Sequence, residues 1–585
     1  MISMHKKGLA GALRCSLVVA TVILITGSAA WSMPPHPDAQ ARAKATAAAT
    51  GLPSGLPDFD RMHELGICTP DSFFLARTYA AKGESQLSPM AGPFRILALL
   101  VDFSDNVSSV APSFFDTLIY GGTTGTVRHY FDEVSYSQID LVTVNNPSTL
   151  GWIRAPQTYA YYVDNNFGLY SAYPNNAQKM VEDAVDAVDV SVDFSLYDND
   201  GDSYVDVLLV IHAGSGAELG GTDNTKMWSH KWAITPRLKD GVYISSYTAQ
   251  PEYWSSPGDM TIGVYCHELS HGFGLPDLYD TDGSSNGIGD WGIMSGGSWN
   301  GSLGSSPAHP CAWSRIQMGF ASPVNVTANL TGQSIGAVNT GGSIFRLWTS
   351  GATSDEYFLV ENRQKVGYDA ALPGSGLMIW HIDDAKEASG ADNDEEWYPG
   401  QPAANHYLVA LEQADGLFSL EYGANQGGAS DPFPGTGSVT TFNGATTPNS
   451  DGYLTGGSFV AVENISPSAS TMTADLIVGI VASVDDNNGS LPTNFELGQN
   501  YPNPFNPTTN IQFNLERTAD VSLSVYNLLG QHVRTLVEGT VEAGSTTVTW
   551  DATDESGRSV ASGVYLYRLL IDEESEATKK MLLIR

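Results

Sequence analysis

The alternation of apolar and polar positions changes texture along the chain. The run Phe94-Arg95-Ile96-Leu97-Ala98-Leu99-Leu100-Val101 is almost unbroken in its apolar character and predicts a buried strand. In NAQKMVEDAVDAV, the residues Met180, Val181, Ala184, Val185 and Val188 recur at helical spacing. YVDVLLVIHAG then has the continuous apolar centre of another buried strand. This mixture predicts an α/β domain over 93–323. From 324 to 480, short β-prone runs such as EYFLVENRQ, GLMIWHID and HYLVALEQ are separated by Gly, Asn, Asp and Pro clusters, the pattern of a β-rich domain. Residues 481–497 contain the polar stretch VDDNNGSLPTN and read as a linker. The last segment, 498–585, alternates as VSLSVYNLLG, STTVTW and GVYLYRLLI, which predicts a small antiparallel, immunoglobulin-like β-sandwich.

The N-terminus adds a compartment. His5, Lys6, Lys7 and Arg14 precede the apolar run CSLVVATVILITG, and Ser28-Ala29-Ala30 follows it. The run is too short and wrongly flanked to span a membrane, so residues 1–31 read as a cleaved signal peptide. Cys15 precedes the apolar run, whereas a lipoprotein cysteine would follow it. No other stretch is long and apolar enough to span a membrane. Residues 32–92, with the low-complexity run AQARAKATAAATGLPSGLP, read as a pro-segment.

Composition agrees with export. Asp and Glu outnumber Lys and Arg by 64 to 28, a net charge of −36, which argues against nucleic acid or an anionic membrane surface as partner. Without the signal peptide the chain keeps Cys68, Cys266 and Cys311, an odd number for an oxidising compartment. A disulfide between Cys266 and Cys311 would brace the segment that carries His267, leaving Cys68 as the odd thiol.

The chemistry is concentrated in HELSHGFGLPDLYD, residues 267–280. On a helix, His267 and His271 lie one turn apart on one face, so both imidazoles can reach one zinc ion. Glu268 adjoins that face and suits a general base that takes a proton from water and returns it to a leaving amine. A catalytic zinc normally takes three protein ligands. Gly272, Gly274 and Pro276 end the helix, so the chain is expected to turn at Gly274 and bring Asp277 back as the third ligand. That position corresponds to the third histidine of the motif H-E-x-x-H-x-x-G-x-x-H, and Met294 in DWGIMSGGSW suits the methionine turn that accompanies it. Glu361 and Glu395 are rival third ligands. Separately, Asp198, Asp200, Asp202 and Asp206 resemble the first half of a calcium loop, although Ser203 occupies the expected glycine position and Leu209 that of the bidentate glutamate. Cys68, in GICTP, is chemically able to ligate zinc as a thiolate and hold the enzyme latent, although one cysteine without a family motif reads first as a buried or fortuitous thiol.

The run CHELSHGFGLPDLYDTDGSSNGIGDWGIMSGGSW is similar to the M6 family of metallopeptidases, the immune inhibitor A-like proteases. VRHYFDEVSYSQIDL, YDNDGDSYVDVLLVIHAGSG, MWSHKW, AWSRIQMGF, EYFLVENRQ and LPGSGLMIWHIDD extend the similarity over most of 94–480. The resemblance implies a zincin (metzincin-like) secreted zinc endopeptidase acting on proteins, with His267, His271 and Asp277 as ligands and Glu268 as general base and acid. No tyrosine closely follows Met294, so a tyrosine near zinc has no support. YPNPFNPTTNIQF, VYNLLGQHVRTL, SGVYLYRLL and KKMLLIR resemble the type A sorting domain of the bacterial type IX secretion system. That resemblance implies partnership with the secretion machinery and a secreted or cell-surface location; the alternative is an immunoglobulin-like spacer or adhesion domain. His532 and Arg534 in this segment have no catalytic context. The expectation is thus a multidomain zymogen using zinc and calcium. The contrasting expectation, a surface adhesin or binding protein with a vestigial zincin fold, is opposed by the intact Glu268.

Overall fold

The computed structural model describes residues 33–50, 55–57, 92–281, 283–389, 393–453, 456–479, 496–498, 500, 503, 505–515, 517–527, 530–572 and 575–584. The expected signal peptide with Cys15, the expected pro-segment from 58 to 91 with Cys68, and most of the expected linker lie outside these residues.

The apolar run after Phe94 is two strands, not one. Gly92–Arg95 pairs in parallel with Ile139–Val142, and Leu97–Asp102 (β1) joins a five-stranded sheet. The change of partner falls at Ile96, whose N–H donates to Val142 O. The sheet also contains Trp152–Arg154 (β2), Leu208–Ser215 (β3), His230–Lys239 (β4) and Val242–Tyr253 (β5), in the order β2-β1-β3-β5-β4. Its neighbours are parallel except the edge strand β4, which is antiparallel to β5. Both faces of the sheet are covered, as the apolar run of β3 requires. Leu209 and Ile211 pack with one cluster that includes Val264 and Leu269. Leu208 and Val210 pack with another, which includes Met180, Val181 and Val185 of the helix Ala177–Val188 (α1). The Asn176 side chain caps α1 by accepting from Lys179 N.

Residues 324–477 are rich in strands. Val324–Asn325 (β6), Phe345–Leu347 (β7), Glu356–Arg363 (β8), Gly376–Asp383 (β9) and Val409–Leu411 (β10) form a second sheet in the order β10-β9-β8-β7-β6. Every residue of β8 is buried, including Glu361, Asn362 and Arg363. Arg363 satisfies its charge with Asp369, through Nε at 2.7 Å and Nη2 at 2.6 Å, and with Glu361 Oε1 at 3.3 Å. Burial alone would raise the Asp369 carboxyl, but the Arg363 guanidinium and His309 outweigh it and hold it down at about 2.

The expected boundary between 323 and 324 does not separate compact units. A single hydrophobic cluster runs from Phe94 and Leu269 through Trp313 to Phe358, Trp380 and Val478. A sheet buried on both faces has no solvent face on which to end a domain, so the α/β and β-rich halves share one core. The chain divides instead into Met1–Gly479 and Ile480–Arg585.

In the second unit, Glu496–Leu497, Thr509–Leu515 and Gly544–Trp550 form one antiparallel sheet. Ala519–Asn527, His532–Val541, Gly563–Ile571 and Ser575–Leu583 form the other. Ile511, Phe513, Leu523, Val525, Trp550 and Tyr567 belong to one core cluster, as the alternation predicts for a sandwich. His532 pairs with Thr535 Oγ1 and Arg534 with Asp551, both at exposed positions. No helix among the described residues is long and apolar enough to cross a membrane.

Candidate metal centre

HELSHG lies in the helix Gly263–Gly272 (α2), all of whose residues are buried. Gly263 lets the helix approach its neighbour closely: a Cβ there would stand 2.1 Å from Ser298 O. The helix ends as the sequence predicts. Gly274 has φ +88°, and Leu275 N donates back to Ser270 O, so the chain reverses and returns Asp277 toward the histidines.

His267 Nε2 lies 3.0 Å from Asp277 Oδ1, and His271 Nε2 lies 3.4 Å from Asp277 Oδ2. All three side chains are fully buried. The opposite ring nitrogens are held by main-chain carbonyls: His267 Nδ1 donates to Ile293 O and His271 Nδ1 to Leu275 O, each at 2.8 Å. With hydrogen on Nδ1, each imidazole turns the lone pair of Nε2 toward the carboxylate. Neither Nε2 and neither Asp277 oxygen has a hydrogen-bond partner. Bare acceptors converging in a buried site are costly unless a cation joins them. Two imidazoles and a carboxylate suit zinc, and their candidate ligand atoms all lie within 4.8 Å of one another.

Glu268, between the histidines, is also fully buried. Its Oε1 accepts from Met33 N at 3.1 Å, whereas Oε2 has no partner. Burial, only partly offset by His267, pushes its carboxyl up to about 8. The rival ligands do not join the cluster: Glu361 is held by Arg363 and the Trp380 indole, and exposed Glu395 pairs with Lys386. Met294 is buried, and its carbonyl accepts from Leu278 N, next to Asp277.

The expected disulfide is absent. Cys266 and Cys311 are both free and buried. Cys266 packs in the core on α2, while Cys311 Sγ contacts Ser314 Oγ in the first turn of its own helix, Ala312–Gln317 (α3). Sequence proximity to α2 did not supply the paired geometry that a disulfide needs. In the acidic loop, Asp198, Asp200 and Asp202 converge, but Asp206 turns its carboxylate to Asn199 N and Nδ2. Burial pushes Asp206 up to about 6. Ser203 adopts φ +75°, the conformation for which glycine was expected there.

The main-chain group that donates to Glu268, Met33 N, has no signal in the sequence. The Met33 carbonyl accepts from the Trp228 indole N–H and that of Pro34 from the Trp299 indole N–H, both at 2.9 Å. His36 N donates to Glu218 O, and the His36 ring meets Trp299 edge-on. Met33 and Glu268 are separated by 235 positions, and no spacing pattern links them.

Residues 111–321 match the family profile described as immune inhibitor A peptidase M6, catalytic domain. Residues 502–570 match that of the FlgD Ig-like domain. Immune inhibitor A of Bacillus thuringiensis subsp. alesti is 30% identical over 265 residues, 36% of this chain and 38% of that protein. Pre-pro-metalloprotease PrtV of Vibrio cholerae is 28% identical over 273 residues, 38% of this chain and 29% of that protein. The aligned region thus spans well under half of either relative. The protein is therefore multidomain, with an M6 peptidase domain followed by an Ig-like domain.

Proposed function

We propose that this chain is an exported zinc endopeptidase that hydrolyses peptide bonds of proteins. The observation that carries the proposal is the buried convergence of His267 Nε2, His271 Nε2 and the Asp277 carboxylate beside Glu268. These three residues would hold zinc, which would supply Lewis acidity for activating water and polarising a scissile carbonyl. Ile293 O and Leu275 O fix the two imidazoles. The free Oε2 of Glu268 takes the proton of the attacking water and returns it to the leaving amine. Casein hydrolysis abolished by chelation and restored by zinc tests the proposal; full activity after chelation contradicts it. The same chelated protein tests calcium at Asp198, Asp200 and Asp202: added calcium raises its melting temperature, and an unchanged value removes that site.

Residues 33–36 support the zymogen reading. Met33 donates to the general base, and the two indoles hold the adjoining carbonyls, so this segment covers Glu268 where substrate would enter. Removal of residues 1–92 by limited proteolysis is expected to raise casein hydrolysis at least ~10-fold. Equal rates before and after removal contradict latency by this segment. For the C-terminal unit we propose a type IX sorting role, supported by the ordered motifs of 501–585. Undiminished export of a chain ending at 497 contradicts it.

A further inference from the structure

We infer that the β-rich half of the Met1–Gly479 unit sets the geometry of the metal site through Trp291, and that Arg363 is a positioning residue for His267. The inference rests on the zinc reading above and extends it from the ligands to what holds them.

Trp291 is fully buried and gripped from the β-rich side at both polar ends. Its indole N–H donates to Asp431 Oδ2 at 3.3 Å, and its carbonyl accepts from Arg363 Nη1 at 3.3 Å. The preceding residue is held as well, since Asp290 N donates to Gln426 O at 2.6 Å. Gly427 presses the 425–431 loop onto the indole: a Cβ there would stand 2.6 Å from Trp291 Nε1. Two residues after Trp291, Ile293 O accepts from His267 Nδ1; the next carbonyl, of Met294, accepts from Leu278 N beside Asp277. One short segment, 290–294, therefore takes its position from the β-rich half and passes it to two of the three ligands.

Arg363 suits the role because it cannot shift independently. Its fork is closed on both oxygens of Asp369 and its Nη1 also meets Glu361, all fully buried. Asp369 in turn accepts from His309 N. A lysine retains the charge but cannot make the planar fork and reach Trp291 O together. Loss of an outer-shell support typically weakens metal binding by about 10–100-fold. Arg363 acts one step further out, through the backbone, so the lower end of that range applies.

The test compares the full-length wild type with R363K and E361Q. Read out are zinc affinity by chelator competition, the visible spectrum of the cobalt(II)-substituted protein, kcat and KM on a peptide substrate, and the melting temperature of the metal-free form. R363K is expected to bind zinc ~10-fold more weakly. Its cobalt(II) spectrum should change, and its kcat should fall with little change in KM. E361Q, which loosens the guanidinium but leaves the Asp369 fork, should move the same readings less. A folded R363K with wild-type zinc affinity, cobalt(II) spectrum and kcat overturns the inference. Should R363K not fold, E361Q decides it, and wild-type zinc affinity and spectrum in E361Q overturn it. A wild type that binds no zinc overturns the zinc reading and this inference together. Zinc binding in the wild type with unmoved variants overturns this inference alone.

Discussion

Glu268→Gln is expected to lower casein hydrolysis by on the order of 10³-fold while the protein retains its zinc. The carboxylate is buried beside His267 and His271 with Oε2 uncommitted. It is therefore a group whose proton can move without breaking an existing hydrogen bond at that oxygen. Glutamine keeps the shape and can still accept from Met33 N through its carbonyl oxygen, but it cannot take a proton from water. Fold and metal content should survive, which distinguishes this substitution from a structural lesion. Metal analysis and turnover on the same preparation check it. Wild-type turnover by Glu268→Gln would remove the general-base role, and loss of zinc would show that Glu268 supports the site structurally.

Asp277→Ala is expected to weaken zinc binding more than the roughly 100-fold cost of losing an outer-shell partner, because it removes a side chain proposed to bind the metal directly. It also leaves His267 and His271 facing each other, with ring centroids 4.9 Å apart, and takes away the carboxylate that joins them in the cluster among the described residues. Isothermal titration of metal-stripped protein with zinc checks this. Near-stoichiometric zinc at wild-type affinity in Asp277→Ala contradicts the ligand role and returns Asp277 to a purely local one. The substitution is expected to abolish turnover as well, since an ion held by two histidines is poorly placed against Glu268.

The local parts of this centre were legible in the sequence because they depend on short-range rules. Helical spacing set His267 and His271 on one face, and glycine's access to positive φ at Gly274 turned the chain toward Asp277. The apolar run of β3 and the alternation in the C-terminal segment likewise express periodicity over a few residues. Contacts made across long separations were not legible. The strand expected over 94–101 changes partner at Ile96 because two different segments compete for it, and neither is local. The packing of the buried strands β8 and β9 into the same core cluster as the preceding half is likewise a long-range contact. Arg363 read as one charged residue in a β-prone run, although its buried fork determines what it does. The Cys266–Cys311 pairing failed for the same reason, since neighbourhood in sequence carries no information on the distance between side chains.

The most direct test of the central claim is X-ray diffraction from zinc-grown crystals, collected on both sides of the zinc absorption edge. Zinc at the proposed site gives an anomalous peak bounded by His267 Nε2, His271 Nε2 and the Asp277 carboxylate, within reach of Glu268. A peak that lies elsewhere, or none at this position in protein shown to contain zinc, contradicts it.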